Sequence, residues 1–359
     1  MEDVIYQKLR ERLDRLGPGY PKTEDGKEYV FLRRFYSPKD AETILNMSDG
    51  YQTAADYAST AGVPVKEAET QLYDMSKRGL IYREKCDGVY RYHLVPLVHG
   101  TYEFNINNFD NAWLTPFFQT LGTPGFREQM YANKHTPFFR AIPGSKQLVK
   151  GGAAGPYDDI EAILARESAF ALSPCACRTN PKFRGVASCD HPTDTCLLLG
   201  GFADYAVENG FGHYVSRDEA LKMLQDGLDD DRVIQVINSK QSEVICSCCS
   251  CSCGVLRGRK QFGNMELWSN YYAVRDEDRC TRCGTCEKHC QVGAITVDGI
   301  DLSHCIGCGL CVQNCPAGAL ELVQKETAYE PPETLFDSYS QMTDDLRYVK
   351  VCMKWQPSD

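Results

Sequence analysis

The chain has 359 residues, 43% of them hydrophobic, and a formal net charge of -10, which suits a soluble protein of two or three domains. This acidic balance argues against nucleic acid or an anionic membrane surface as the partner of the whole chain. The chain start has no apolar leader, and no run approaches the roughly 18 apolar residues of a membrane span. Most of the 19 cysteines are therefore expected to be reduced metal ligands in an anaerobic cytoplasm rather than disulfides.

Residues 1–100 are expected to form a small domain of helices followed by a hairpin. Ile5, Leu9 and Leu13 recur at helical spacing and predict a first helix over 3–16. Three short helices and two strands joined by an Asp-Gly turn are predicted after it, over 40–47, 53–59, 64–78, 80–85 and 89–94.

This order of elements resembles the winged-helix domains of bacterial regulators over roughly residues 35–95. The resemblance raises the question of DNA binding. However, the candidate recognition helix over 64–79 has three basic and three acidic residues, and the hairpin over 80–94 has three basic against two acidic. A helix that reads DNA carries a clear basic excess, and winged helices also serve as protein-docking modules. The charge therefore favours docking to a protein partner over binding to nucleic acid.

Residues 101–170 are an aromatic-rich connecting segment, which is expected to pack the winged-helix-like domain against the metal-binding part of the chain. Its large aromatic residues include Trp113, Phe117, Phe118, Phe138 and Phe139. The glycine-rich stretch over 151–155 lacks the spacing of a nucleotide-binding loop and is predicted to be a flexible turn.

Nine cysteines lie within residues 171–270, in a setting typical of metal ligands. They are Cys175, Cys177, Cys189, Cys196, Cys246, Cys248, Cys249, Cys251 and Cys253. Several stand beside serine or glycine, where backbone amides are free to donate to cluster sulfides, so core packing does not explain them. A helix that begins after Ser216 and a buried strand over Val233–Ile237 are predicted between the two groups.

The nine upstream cysteines suffice for two more four-ligand sites, but their pairing stays open. One or more further 4Fe-4S clusters is the main hypothesis, and structural zinc or redox disulfides are the alternatives. Arg178 is either a charge-assisted donor beside a cluster or an ordinary salt-bridge residue. His191 is either a ligand or a neighbour of one. Cys86 and Cys352 are isolated and are not predicted to be ligands.

The middle of the chain is also similar to a little-described group of anaerobic iron–sulfur proteins. That group joins a CxCR segment, a Cys-Cys-rich segment and a C-terminal ferredoxin pair. The resemblance implies an architecture and supplies no reaction.

Residues 280–315 contain the spacing Cys-x2-Cys-x2-Cys-x3-Cys twice. The two copies are Cys280, Cys283, Cys286 and Cys290, and then Cys305, Cys308, Cys311 and Cys315. Three cysteines two residues apart wrap a tight loop around three corners of a cubane, and the fourth points away from that loop. Matching positions such as Gly284 and Gly309 indicate a duplicated half-domain of loop, short helix and short strand, with strands predicted over 295–298 and 320–323.

Residues 278–325 resemble a bacterial-type ferredoxin with two 4Fe-4S clusters. The resemblance implies that the fourth cysteine of each copy binds the cluster of the other copy. The implied ligand sets are Cys280, Cys283, Cys286 and Cys315 for one cluster, and Cys305, Cys308, Cys311 and Cys290 for the other. Gln291 stands where the family usually has the proline found here as Pro316. Structural zinc, usually held by two separated pairs, fits these eight cysteines poorly.

These patterns predict an α+β multidomain protein with five parts. The parts are a winged-helix-like domain (1–100), the connecting segment (101–170), a cysteine-rich α/β metal-binding domain (171–270), a ferredoxin-like two-cluster domain (271–325) and a C-terminal tail (326–359) that lies along the surface or a partner.

The chain is expected to be an iron–sulfur electron-transfer subunit of a cytoplasmic anaerobic oxidoreductase complex. It would relay electrons between a soluble carrier and a catalytic partner subunit through three or four 4Fe-4S clusters. No nucleotide-loop or catalytic-serine motif is present, so no catalytic residue is predicted, and whether the chain is itself an enzyme stays open, as does a homo-oligomer. Two alternatives are an iron–sulfur redox-sensing winged-helix transcription regulator and an enzyme that uses a site-differentiated cluster within 175–253.

Overall fold

The computed structural model describes residues 2–123, 126, 136–144, 149–150, 155–187, 189–263 and 267–354. Most of the predicted turn over 151–155 lies outside these residues. The helices are α1 (Glu2–Leu13), α2 (Lys27–Phe35), α3 (Pro38–Asn46), α4 (Ala54–Ala61), α5 (Val65–Lys77), α6 (Tyr102–Phe104), α7 (Asn111–Leu121), α8 (Ile160–Leu164), α9 (Ala176–Phe183), α10 (Gly201–Glu208), α11 (Arg217–Asp229), α12 (Gly254–Phe262), α13 (Thr285–His289), α14 (Leu310–Gln313) and α15 (Leu335–Lys354).

The strands form three sheets, and short turns complete the secondary structure. The strands are β1 (Gln52–Thr53), β2 (Tyr82–Cys86), β3 (Val89–His93), β4 (Phe139–Ala141), β5 (Val149–Lys150), β6 (Phe170–Pro174), β7 (Asp194–Leu199), β8 (His213–Tyr214), β9 (Val233–Ile237), β10 (Val244–Cys248), β11 (Leu267–Trp268), β12 (Tyr271–Arg275) and β13 (Leu320–Gln324). A kinked turn lies at Leu97–Thr101, and 3-10 turns lie at Ile106–Asn108 and Pro156–Asp158.

The chain forms two compact units, and the first contains the N-terminal elements. The first unit comprises Met1–Thr136, Asp204–Phe211 and Tyr339–Asp359; the second comprises Pro137–Ala203 and Gly212–Ser338. The predicted aromatic segment is therefore divided, because Trp113 and Phe117 belong to the first unit and Phe139 to the second. No helix among the described residues is long and apolar enough to cross a membrane.

The predicted helices and hairpin of the N-terminal hundred residues are present in the first unit. The three short helices are α3, α4 and α5, and the hairpin is β2 and β3, with β1 completing a sheet in the order β1-β3-β2. Asp87 and Gly88 have φ values of 50° and 85°. Both residues thus adopt the left-handed conformation that a two-residue type I′ turn requires, which explains the Asp-Gly pair at this position.

Aromatic side chains form the core between α2 and α7. The Trp113 ring lies 5.6 Å from Phe31 and 4.8 Å from Phe35, and Phe117 stacks on Tyr102 with centroids 4.5 Å apart. Such offset and edge contacts add to the free energy gained by burying the rings.

The buried carboxylate of Asp40 links α3 to the end of α5 through an ion pair with the more exposed Arg78. Its side chain completes a capping box with Ser37 and accepts hydrogen bonds from both terminal nitrogens of Arg78, at 2.6 and 3.0 Å. Burial raises the pKa of the Asp40 carboxyl, but the hydrogen bonds from Arg78 and Ser37 outweigh it and hold the pKa below its usual value. The carboxylate therefore stabilises the fold at neutral pH, and this contribution is lost as pH falls through the lowered pKa.

Replacing Asp40 by asparagine is expected to reduce the local stability of α3 by about 2 kcal/mol at neutral pH, because Arg78 loses its charged acceptor. Faster hydrogen–deuterium exchange of the α3 amides would measure the loss. Asp56→Asn is the matched control, since Asp56 closes an exposed capping box with Thr53 in α4. Equal exchange in the two variants would contradict the assigned role of Arg78.

The second unit is built on a seven-stranded sheet in the order β11-β4-β9-β10-β7-β6-β8. Most neighbours are antiparallel, and β11 and β4 are parallel. The strand predicted over Val233–Ile237 is confirmed as β9. The predicted helix after Ser216 is confirmed as α11, whose capping box joins Ser216 to Glu219.

The C-terminal part of the second unit contains a smaller sheet. Of the two strands predicted in this part, one is present and the other is not. The strand predicted over 320–323 is β13, which pairs with β12 and β5. The strand predicted over 295–298 is absent from the described secondary structure. Only a single bridge joins Ile295 to Ile300, because the chain turns back where the amide of Thr296 donates to the carbonyl of Gly299 at 2.9 Å.

The predicted C-terminal tail is helical over much of its length. It forms α15, whose Leu335, Tyr339 and Met342 side chains are buried. Burial of three apolar side chains at helical spacing gives this segment a packing role that its acidic, proline-containing start did not indicate.

Candidate metal centres

Four cysteines of the C-terminal segment surround one cavity, and we call them the outer quartet. The cavity has a volume of about 20 Å³. Its lining cysteines are Cys280, Cys283, Cys286 and Cys315. Three of them come from the first copy of the repeat and the fourth from the second, so the cavity combines the two copies.

The remaining four cysteines surround a second cavity, and we call them the inner quartet. This cavity also has a volume of about 20 Å³. Its lining cysteines are Cys290, Cys305, Cys308 and Cys311. The eight cysteine side chains therefore lie in the crossed arrangement that the ferredoxin resemblance implies, with the fourth cysteine of each copy beside the first three of the other copy.

The local backbone of both copies explains this crossing. Gly284 and Gly309 precede α13 and α14 with φ values of 77° and 85°, a conformation that favours glycine, so the loop turns sharply into each helix. After each helix a backbone amide donates to the fourth cysteine. Ala294 N lies 3.2 Å from Cys290 Sγ, and Ala319 N lies 3.3 Å from Cys315 Sγ. Such hydrogen bonds stabilise a thiolate and tune the reduction potential of a bound cluster.

The two quartets differ in their exposure to solvent. Cys283 of the outer quartet is exposed, and its hydrogen bond with Thr285 at 3.3 Å lowers the pKa of its thiol to about 7. Burial instead raises the pKa of Cys308, in the inner quartet, to about 12. The outer quartet is therefore the one that a partner in solution approaches more closely.

Six of the nine upstream cysteines lie on β7 and β10 or at the starts of α9 and α12, and we call them the six-thiol group. They are Cys175, Cys177, Cys196, Cys246, Cys248 and Cys253. Register places Cys246 directly opposite Cys196, and Cys248 follows on the same face of β10 because side chains alternate along a strand. Cys175 and Cys253 stand at the N-termini of α9 and α12.

The thiols of this group lie close enough to shift one another's pKa. Cys196, Cys246, Cys248 and Cys253 follow one another as neighbouring thiols, and Cys175 neighbours Cys177. The hydrogen bond from Cys177 lowers the pKa of Cys175 to about 6. The hydrogen bond with Cys196, together with burial, raises the pKa of Cys246 instead.

A buried guanidinium beside the six-thiol group indicates that an anionic group belongs there. The Arg232 side chain is 1% exposed, and its Nε and Nη1 have no hydrogen-bond partner among the described residues. Its pKa is lowered by burial, while Asp230 and the nearby Cys248 act in the opposite direction. A buried charge without a full set of partners costs several kcal/mol, and a cluster with thiolate ligands would offset that cost.

The other three upstream cysteines and His191 form a separate, tighter set, and we call them the mixed-ligand group. Its members are Cys189, His191, Cys249 and Cys251, whose ligand atoms all lie within 4.8 Å of one another. The sulfurs of Cys189 and Cys249 are 3.8 Å apart, and Cys249 and Cys251 are joined by a disulfide.

Arg178 connects the surroundings of the two upstream groups. It is 2% exposed and donates to the carbonyls of Pro192 and Ser247 at 2.7 and 3.2 Å. It also donates to Cys249 Sγ at 3.5 Å. Arg178 is thus a donor to a cysteine sulfur, and no ion pair of Arg178 with a carboxylate occurs among the described residues.

The upstream groups and the C-terminal segment touch through residues next to their cysteines. Gln291, which follows Cys290, accepts hydrogen bonds from the amide and the hydroxyl of Ser250, both at 2.9 Å. Asp231 bonds to His289 at 2.6 Å and to Asn314 at 3.3 Å. The departure from proline at position 291 thus supplies the acceptor of a contact between the two cysteine-rich parts.

Helix α12 makes a second connection. It begins after Cys253 of the six-thiol group, and Arg259 near its other end donates to the carbonyls of Ser303 and His304, immediately before Cys305. Sequence reasoning missed Arg232, Asp231 and Arg259, since a single charged residue carries no motif. Among the residues that connect the two cysteine-rich parts, Gln291 was the one that the sequence marked, because it stands where the family usually has proline.

A family model assigns the C-terminal cysteines to a known class of domain. The model of the 4Fe-4S binding domain matches residues 273–296 and 299–321. This segment is therefore a ferredoxin-type iron–sulfur domain, and the chain has an iron–sulfur electron-transfer role. No curated protein and no solved structure is similar enough to the chain to give a match.

Proposed function

We propose that this chain is an electron-transfer component with two 4Fe-4S clusters on the outer and inner quartets and a third on four cysteines of the six-thiol group. A bound cluster supplies a one-electron carrier whose potential depends on hydrogen bonding and burial. The proposed order runs from solvent through the outer quartet and the inner quartet to the six-thiol group.

The hydrogen bonds from Ser250 to Gln291 are the observation that carries this proposal. They join the residue after an inner-quartet cysteine to the loop that follows β10, so the ferredoxin segment is in direct contact with the loop that carries Cys249 and Cys251. An isolated ferredoxin domain has no need of such a contact. A relay needs one, because the distance between successive carriers must be held constant.

The exposed Cys283 supports the outer quartet as the entry or exit point for a soluble carrier or a partner subunit in an anaerobic cytoplasm. The inner quartet is proposed to lie on the internal side of the electron path. Two sets of contacts tie its surroundings to the upstream part of the chain, one between Asp231 and His289 and the other between Arg259 and its carbonyl partners.

The first unit is proposed to be a winged-helix-like module that docks a partner protein, because α5 lacks the basic excess of a DNA-reading helix.

Replacing Gln291 by proline is expected to slow electron exchange between the ferredoxin segment and the upstream cluster several-fold. The change removes the acceptor for Ser250 while supplying the residue that the second copy has as Pro316, so the iron content should not fall. The measurement is rapid-freeze electron paramagnetic resonance after mixing with dithionite. Gln291→Glu, which keeps an acceptor oxygen, is the control. Equal rates in the proline variant and the wild type would exclude this junction from the electron path.

A further inference from the structure

We propose that the mixed-ligand group binds one zinc ion, separate from the iron–sulfur clusters. Three cysteines and one histidine are a usual donor set for a closed, tetrahedral structural zinc site. In the sequence these residues are scattered over two loops, and their cysteines were indistinguishable from the others of the upstream set. The structure separates them, as Cys189, His191, Cys249 and Cys251 converge on one point.

The spacing of the Cys189 and Cys249 sulfurs suits a single ion rather than a cubane. A zinc–sulfur bond of about 2.3 Å in a tetrahedron places two sulfurs about 3.8 Å apart. The sulfurs of Cys189 and Cys249 are 3.8 Å apart. Among the described residues, this is the one group of three or more candidate ligands whose atoms all lie within 4.8 Å of one another. The outer and inner quartets surround cavities instead, so the structure distinguishes two kinds of site.

The charge around the group also suits zinc. Three thiolates and one divalent cation leave a single negative charge, and the buried Arg178 guanidinium lies 3.5 Å from Cys249 Sγ, where it balances that charge. Ser252 Oγ lies 3.6 Å from Cys189 Sγ and offers a further donor. Cys249 and Cys251 form a disulfide in this structure. A dithiol reductant supplies the two electrons that cleave it and itself becomes a disulfide, and the two thiolates released then bind the ion.

The position of the site indicates what the ion would do. Ser250 lies between Cys249 and Cys251, and both its amide and its hydroxyl donate to Gln291. An ion on the two flanking cysteines would hold this turn in the conformation that contacts the ferredoxin segment. Zinc does not change its oxidation state, so the site would hold the contact between Ser250 and Gln291 in place without carrying electrons itself.

Metal analysis of the full chain, purified without oxygen, tests the proposal. We expect about one zinc per chain in the wild type. In Cys189→Ser, zinc occupancy is expected to fall at least tenfold with the iron content unchanged. Cys86→Ser is the matched control, because Cys86 is a cysteine far from any candidate site in the sequence, and it should keep both metals. His191→Cys should retain zinc, since four cysteines also form a closed zinc site.

X-ray absorption at the zinc edge of the wild-type chain provides a measurement that does not depend on any variant folding. The expected shell is three sulfurs at about 2.3 Å and one nitrogen at about 2.0 Å. Absence of zinc from the wild type, a disulfide between Cys249 and Cys251 that persists in anaerobic protein purified with a dithiol reductant, or a loss of about four irons in Cys189→Ser would each overturn the proposal. The last result would assign these residues to a cluster.

Discussion

Replacing Cys290 by serine is expected to remove about four iron atoms per chain and to abolish the signal of the inner cluster while leaving the outer one. By sequence Cys290 belongs to the first copy of the repeat, with Cys280, Cys283 and Cys286. In the structure its side chain lines the cavity of the inner quartet, and its sulfur accepts a hydrogen bond from the amide of Ala294. The variant therefore tests whether Cys290 binds the cluster of its own sequence copy or the cluster whose cavity it lines in the structure.

Iron analysis and electron paramagnetic resonance of the reduced protein measure this effect. Cys315→Ser is the reciprocal variant, and it should remove the signal of the outer quartet instead. Cys86→Ser should change neither. Loss of the outer signal in Cys290→Ser, with the inner signal intact, would contradict the crossed arrangement of ligands.

Replacing both Cys246 and Cys248 by serine is expected to remove a different set of about four irons, while the eight of the ferredoxin segment remain. These two cysteines lie in the middle of the chain of thiols that runs from Cys196 to Cys253. Without them, Cys196 and Cys253 are no longer connected through neighbouring thiols. The double change is chosen because the proposed cluster needs four ligands and the group has six thiols, so a single change leaves a substitute ligand.

Ser247→Ala is the matched control for the double variant. Ser247 lies between the two cysteines in β10, on the opposite face of the strand. The control should therefore keep the full iron content. An unchanged iron content in Cys246→Ser/Cys248→Ser would show that no cluster depends on the six-thiol group.

The repeated cysteine spacing was sufficient to predict the ferredoxin segment, whereas the grouping of the upstream cysteines was not predictable. A repeat of three close cysteines and one displaced cysteine is local, so the loop that it forms follows from the chain itself. The six-thiol group depends on the pairing of β7 with β10, which places Cys196 opposite Cys246 across 49 intervening residues. Register of this kind follows from packing of the whole sheet.

The division between Cys248 and Cys249 illustrates the same limit. The two residues are adjacent in sequence but belong to different groups, because β10 ends at Cys248 and the chain then turns. Alternation along a strand applies only up to its last residue. The role of Gln291 was visible as a departure from the family pattern, but its partner Ser250 is 41 residues away and became evident only from the fold.

A reductive titration of the intact, anaerobically purified chain, with iron counted in the same sample, tests the relay most directly. Three clusters predict about twelve irons, about three electrons accepted per chain and three paramagnetic centres. The upstream centre should lose its iron in the Cys246→Ser/Cys248→Ser variant. About eight irons and two electrons, with both centres in the ferredoxin segment, would contradict the account and leave the chain as a two-cluster ferredoxin with a cysteine-rich neighbour.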